Sequence, residues 1–213
     1  MVMQPQTTRQ KVGDYLQNPG YAWARLVSDI LSPPMIWAML AFPIAFRNAP
    51  STGQALLWAL VYILLGCVLP VMYIVLMVKR GKITDIHMRV RQQRLLPFLV
   101  SLVCMTIAWW TLRLMGAPAV VPLFALFSLV QIAVMALITL VWQVSMHAMS
   151  ISGAVVALGF LFGGAAALVA LPFVVLVGAA RLKLKRHTLA QVLVGAALGG
   201  VIPFILLTLT WQA

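Results

Sequence analysis

The sequence predicts an all-α, polytopic membrane bundle of six to seven transmembrane helices, and three observations carry that prediction. The 213 residues are 63% hydrophobic and only 8% charged, which leaves too few polar side chains to cover a water-soluble domain. The mean hydropathy is +1.04. The apolar residues are also gathered into charge-free runs, at 30–46, 48–78, 95–112, 114–180 and 188–213, the fourth of them 67 residues long. A helix needs about 20 such residues to cross the hydrocarbon core.

Taken in order, residues 1–26 read as a polar, interfacial lead with Tyr21 and Trp23 near the membrane surface. Residues 27–213 form a single transmembrane domain. Its spans are expected at 27–46, 54–78, 95–115, 119–142, 148–163, 165–180 and 188–210. Turn-forming or charged breaks separate them: Asn48-Ala49-Pro50, the basic stretch 79–94, Gly116-Ala117-Pro118, the region of Ser145, Gly163-Gly164, and 181–187. The two spans between His147 and Arg181 are short for full crossings and read as a shallow helical hairpin inside the bundle. Gly195 and Gly199, four apart, give the last span a small-residue packing face. Trp109, Trp110 and Trp211 are expected at the interface opposite the polar loops. Met1 to Gln10 is polar and no small-residue cleavage site follows, so no signal peptide is read. Cys67 and Cys104 fall in apolar spans and read as buried thiols.

Charge narrows the partners. Fifteen Lys and Arg stand against three acids, Asp14, Asp29 and Asp85, for a net +12. That excess suits anionic partners, lipid phosphates or headgroups, whereas no soluble basic module is present to hold nucleic acid. Without paired carboxylates there is nothing to hold Mg²⁺ or Ca²⁺, so no metal and no cofactor are expected. Counting crossings puts the loops after the second, fourth and sixth spans on one side. That side, with the N-terminus, carries 13 of the 15 basic residues; Arg47 and Arg113 lie opposite. By the positive-inside rule it faces the cytoplasm of a multi-pass cell-membrane protein, the inner membrane in a bacterium.

The three loops carry the residues that lipid tolerates only for a use. The first holds Lys79, Arg80, Lys82, Asp85, Arg89, Arg91 and Arg94; the second Ser145 and His147; the third Arg181 to His187, with Gln191 one turn beyond. Their spacing resembles the type 2 phosphatidic acid phosphatase (PAP2) superfamily, whose motifs are KxxxxxxRP, PSGH and SRxxxxxHxxxD. Here the third reads Ala180-Arg181, five residues, His187, three residues, Gln191. The second reads Val144-Ser145-Met146-His147. The first has its separation in Lys82 and Arg89, with Val90 in place of proline, and Arg94-Leu95-Leu96-Pro97 nearby is a second arginine close to a proline. The resemblance covers residues 82 to about 195 with the helical bundle around them, its motifs lying at 82–97, 144–147 and 180–191. It implies a PAP2-like core and a metal-independent phosphatase acting on a lipid phosphate or polyprenyl (di)phosphate through a phosphohistidine. It implies His187 as nucleophile, His147 as general acid, and Lys82, Arg89, Ser145 and Arg181 as phosphate cradle, with Arg91 and Arg94 supplying further cations.

The chemistry is consistent with those residue types. Cations around His187 disfavour its protonated form and so keep a nucleophilic nitrogen free. The same cations stabilise charge on phosphoryl oxygens. Gln191 shares a helical face with His187, and its amide oxygen can fix the imidazole tautomer but not neutralise an imidazolium. Asp85, the only acid in the three loops, is expected to support a histidine or to order Arg91 and Arg94. His87 reads as a solvated side chain. The plain structural reading of His147 is a buried histidine bonded to a carbonyl. Two further functions stand beside the phosphatase. A prenyltransferase needs acid-rich loops that are missing here, and a non-catalytic lipid-phosphate binder or transporter is kept open by Gln191 where the family has aspartate.

Overall fold

The computed structural model describes residues 19–211, and all its regular structure among them is helical. The expectations for residues 1–18, including Asp14, and for the Trp211 side chain fall outside the described residues. After a short turn at Pro19–Tyr21 come α1 (Ala22–Ile30) and α2 (Pro33–Asn48). The two helices meet at a 45° bend. Two prolines cause it. Pro33 forces Ser32 out of the helical region, to φ −72° and ψ 152°, because a residue before proline clashes in the α conformation. The first expected span, 27–46, is therefore two helices.

Next, α3 runs from Thr52 to Lys79 without interruption. It widens into a π-helical turn over Ile63–Val68 just before Pro70, where proline has no N–H for a regular helical bond. A single-turn 3₁₀ segment, Arg91–Arg94, leads into α4 (Leu95–Leu114), followed by α5 (Val120–Thr139), α6 (Met146–Phe162), α7 (Gly164–Lys183) and α8 (Leu189–Trp211). Among the described residues five helices (α3, α4 with its leading turn, α5, α7 and α8) are long and apolar enough to cross a membrane, and the bent α1–α2 pair passes the same test when its two helices are taken as one span. The protein is a multi-pass membrane protein built as an all-α bundle.

The expected shallow hairpin needs correcting. Its second arm, α7, has 20 residues and is a full-length span. Only α6, with 17 residues, is short, about 25 Å at 1.5 Å per residue. It is also the centre of the bundle, packed on α8, α7 and α2.

Small residues make that centre. A Cβ on Gly195 would lie 2.6 Å from the Ser145 carbonyl oxygen, and one on Gly199 would run into the Met149 backbone. The Gly195/Gly199 face thus seats α8 directly on the start of α6, as expected. Beside it, Gln131 donates from Nε2 to the Gly199 carbonyl at 3.3 Å, and Tyr62 and Ser128 share a buried hydroxyl hydrogen bond at 3.0 Å. At the far end Arg47 lies over the Phe162 ring and Arg113 over Trp109, with Trp110 exposed next to it.

Because the close approach of α8 to α6 tolerates no side chain, Gly195→Ala should lower the unfolding free energy by about 1–3 kcal/mol through overpacking. Gly53, which has open space around it, supplies the control: Gly53→Ala should not lower the thermal midpoint in detergent. Equal midpoints for the two variants would contradict this packing.

Candidate anion-binding site

Helix ends shape the polar face. The chain leaves α3 through a turn in which Lys82 N–H bonds to the Met77 carbonyl and Gly81 N–H to Val78, with Gly81 at φ +69°. It leaves α7 the same way: Arg186 N–H reaches the Arg181 carbonyl and Lys185 N–H that of Leu182. Both are the paired C-terminal bonds that reverse a chain after a helix. In the second case the left-handed position is Lys185, at φ +50°, a conformation that costs a non-glycine residue about 1–2 kcal/mol. The tight reversal brings His187 back against the end of its own helix.

Then α8 begins with a reciprocal cap. Gln191 N–H donates to Thr188 Oγ1 (3.4 Å), and Thr188 N–H donates to Gln191 Oε1 (3.0 Å). This is the Ser/Thr-x-x-Glu/Gln capping box, a signal legible in Thr188-Leu189-Ala190-Gln191 but not drawn from the sequence. The same Oε1 accepts from His187 Nδ1 at 3.2 Å. Since an amide oxygen only accepts, the proton sits on Nδ1 and the lone pair on Nε2.

Three links tie the loops into one face. Asp85 pairs with Arg186 at 3.6 Å, joining the first loop to the third. Arg91 donates to the Thr139 and Leu140 carbonyls, joining the first to the second. Ser145 N–H donates to the Gln191 carbonyl at 3.1 Å, joining the second to the third.

Under these links lies a cavity of about 380 Å³ whose titratable wall is Asp29, His87, Arg94, His147, Arg181 and His187. Arg181 is only 2% exposed, and its Nε and Nη1 have no hydrogen-bond partner among the described residues. Leaving a buried donor unmade costs about 1–3 kcal/mol, and more for a charged group, and an anion in the cavity would supply the missing acceptors. Arg94, also buried, gives its Nε–H to the Met88 carbonyl at 2.8 Å and lines the cavity. His187 is held neutral: burial, then Arg181 and Arg94, push its pKa down to about 3, with the Gln191 bond opposing. His147 donates from Nε2 to the Ser28 carbonyl at 3.1 Å. It lines the cavity while tethered to α1.

The remaining sequence candidates are dispersed. Lys82 and Arg89 are exposed and do not line the cavity; the arginine that does is Arg94, carried inward by the turn at its own helix start. Arg91 is spent on carbonyls. Ser145 is fully buried and caps α6, accepting from Ala148 N–H at 3.4 Å. Asp85 accepts from His87 N–H (2.8 Å) and Arg89 N–H (3.3 Å), so it orders the loop and Arg186 but not a histidine ring, Arg91 or Arg94. His87 is only partly solvated, with its side chain 25% exposed. It is a cavity residue, stacked on His147 with ring centroids 6.2 Å apart and paired with Asp29 at 3.5 Å. Asp29 was missed because it arrives from α1, far away in sequence.

A narrower apolar crevice of about 110 Å³ shares the Pro33, Pro34, Val71, Ile74 and Met146 walls with the cavity and descends toward Tyr62, Gly66 and Met105. Val71, Val75 and Ile86 at the cavity wall are exposed apolar side chains. Among the described residues no three His, Cys, Asp or Glu side chains are gathered to hold a metal ion. No family model, curated protein or solved structure matches the chain.

The depressed His187 pKa has a stability consequence. The unfolded imidazole titrates near 6.5, so the unfolded state takes up a proton that the folded state refuses down to about 3. This contribution is complete above about pH 6.5 and is lost as pH falls toward 3. Unfolding midpoints of His187→Asn should therefore fall less steeply over that window than those of the parent protein; parallel curves would contradict a neutral His187.

Proposed function

We propose that this protein is an integral membrane phosphatase that hydrolyses a lipid phosphate or a polyprenyl (di)phosphate without a metal. The observation that carries the reading is the buried Arg181 guanidinium, with two unpartnered donors, in a cavity that also holds the neutral His187. A phosphoryl group supplies the acceptors Arg181 lacks, and Arg94 adds a second cation. With Nδ1–H fixed by Gln191, His187 has its Nε2 lone pair available to attack phosphorus. Arg181 and Arg94 then stabilise the charge spreading over the phosphoryl oxygens, the largest contribution in this class of reaction.

The lipid part of the substrate follows from the walls. Apolar residues of α2, α3 and α6 continue from the cationic cavity into the crevice, which accepts a hydrocarbon chain while the headgroup meets the arginines. The PAP2-like motif spacing supports the same reading, as does the cation excess on the loop side, which we assign to the cytoplasmic face of the cell membrane. The Arg47 and Arg113 end faces the other side. A non-catalytic lipid-phosphate binder is the second reading, favoured by one feature: Gln191 in place of a carboxylate. In the serine-protease template an amide for the orienting acid costs about 10⁴ in rate. Here the amide leaves His187 in the tautomer an attacking Nε2 needs, which supports turnover.

Phosphate release from lipid phosphates and prenyl diphosphates by the full chain in detergent, with chelator present, tests the proposal. Release should persist in chelator and be abolished in His187→Ala. In Arg181→Met, kcat/KM should fall by about 10³. Tight lipid-phosphate binding without release would establish the binder, and release unchanged in His187→Ala would reject a histidine nucleophile.

A further inference from the structure

The histidine expected to act as acid has a nitrogen already engaged. His147 gives its Nε2–H to the Ser28 carbonyl, a bond that pins α6 to α1 and needs that proton to stay. Stacked on its ring, at 6.2 Å between centroids and 21° between planes, is His87. His87 lines the same cavity as Arg181 and His187 and has its Nε2 3.5 Å from Asp29 Oδ1. Its backbone is fixed by the Asp85 carboxylate, which accepts the His87 N–H at 2.8 Å. The chain thus contains a carboxylate–imidazole pair at the cavity, formed by residues outside the second and third motifs.

Resting on the phosphatase reading, we propose that His87, oriented by Asp29, is the proton donor to the leaving oxygen, and that His147 is a positioning residue. His87 is protonated on both nitrogens when the substrate binds, with Nε2–H toward Asp29 and Nδ1–H for transfer. His187 Nε2 attacks phosphorus and the N–P bond forms. The bond from the attacked phosphorus to the lipid-side oxygen breaks, and that oxygen takes the Nδ1 proton of His87, leaving as the lipid alcohol, or as the lipid monophosphate where the substrate is a diphosphate. Water then attacks phosphorus and gives a proton back to His87 Nδ1. The N–P electron pair returns to His187, inorganic phosphate is released, and both histidines are restored.

The groups facing His87 set its protonation. Burial, Arg181 and Arg186 lower its pKa while Asp29 and Asp85 raise it, and His147 stacks against it. A bound phosphate dianion adds negative charge at the same place and favours the imidazolium. Activity should therefore fall as pH rises through the His87 pKa of the substrate complex. Removing the Asp29 charge should move that limb to lower pH.

The test compares an alkyl phosphate lipid with 4-nitrophenyl phosphate, whose leaving group needs no proton. In His87→Asn, first-turnover release of the alcohol from the alkyl ester should drop by about 10²–10⁴, the usual contribution of a general acid, while the first-turnover burst of nitrophenolate, which precedes the hydrolysis His87 assists, loses less than about tenfold. A retained nitrophenolate burst also reports that the variant is folded. Asp29→Asn should shift the basic limb of the alkyl-ester profile downward. Equal losses on both esters in His87→Asn, no loss on either, or the leaving-group-selective loss appearing in His147→Asn instead would overturn the assignment. A parent protein that turns over neither ester overturns the phosphatase reading, and the assignment with it.

Discussion

A guanidinium buried in a membrane protein with donors left unmade is the constraint on which the polar face depends. Arg181 is nine-tenths or more inside the bundle at the last turn of α7, and two of its nitrogens find no acceptor among the described residues. Nothing in the folding of an apolar bundle asks for such a residue, since burying an unpaired charge is among the largest penalties a chain meets. The surrounding architecture keeps it there. The three links between loops close the face above it, the Gly195/Gly199 contact presses α8 onto α6 below it, and the tight reversal at Lys185 returns His187 beside it.

That arrangement couples stability to chemistry through one side chain. Gln191 closes the capping box at the start of α8, gives its backbone carbonyl to Ser145, and holds the His187 tautomer with its amide oxygen. An aspartate at this position is one methylene shorter and fits the box less well, whereas glutamine satisfies the helix start and the imidazole together. A carboxylate lies at the same cavity, as Asp29 beside His87.

What the sequence showed, and what it hid, follows from the range of each interaction. The helical bundle was legible because apolar run lengths report directly on membrane thickness. His187, Arg181 and Gln191 were legible because they lie within a few residues of one another, where spacing fixes geometry. The first loop was not. Spacing there favours Lys82 and Arg89, yet Met88 adopts φ +48° and offers its carbonyl to Arg94, so the loop turns its later arginine inward and leaves the other two exposed. Asp29 and His87 meet only because Pro33 and Pro34 bend α1 across the cavity, a consequence of tertiary packing that local patterns do not contain. Their one trace in the sequence was the scarcity of acids: with three in the whole chain, each merits a partner.

The central claim is that Arg181, Arg94 and His187 together form a phosphoryl site. An experimental structure of the protein with orthovanadate, a mimic of the phosphoryl group in transfer, tests it most directly. Vanadium bonded to His187 Nε2, with its oxygens on Arg181 and Arg94, is the predicted result. Vanadate bound elsewhere, with the Arg181 donors still unmet, would contradict the account.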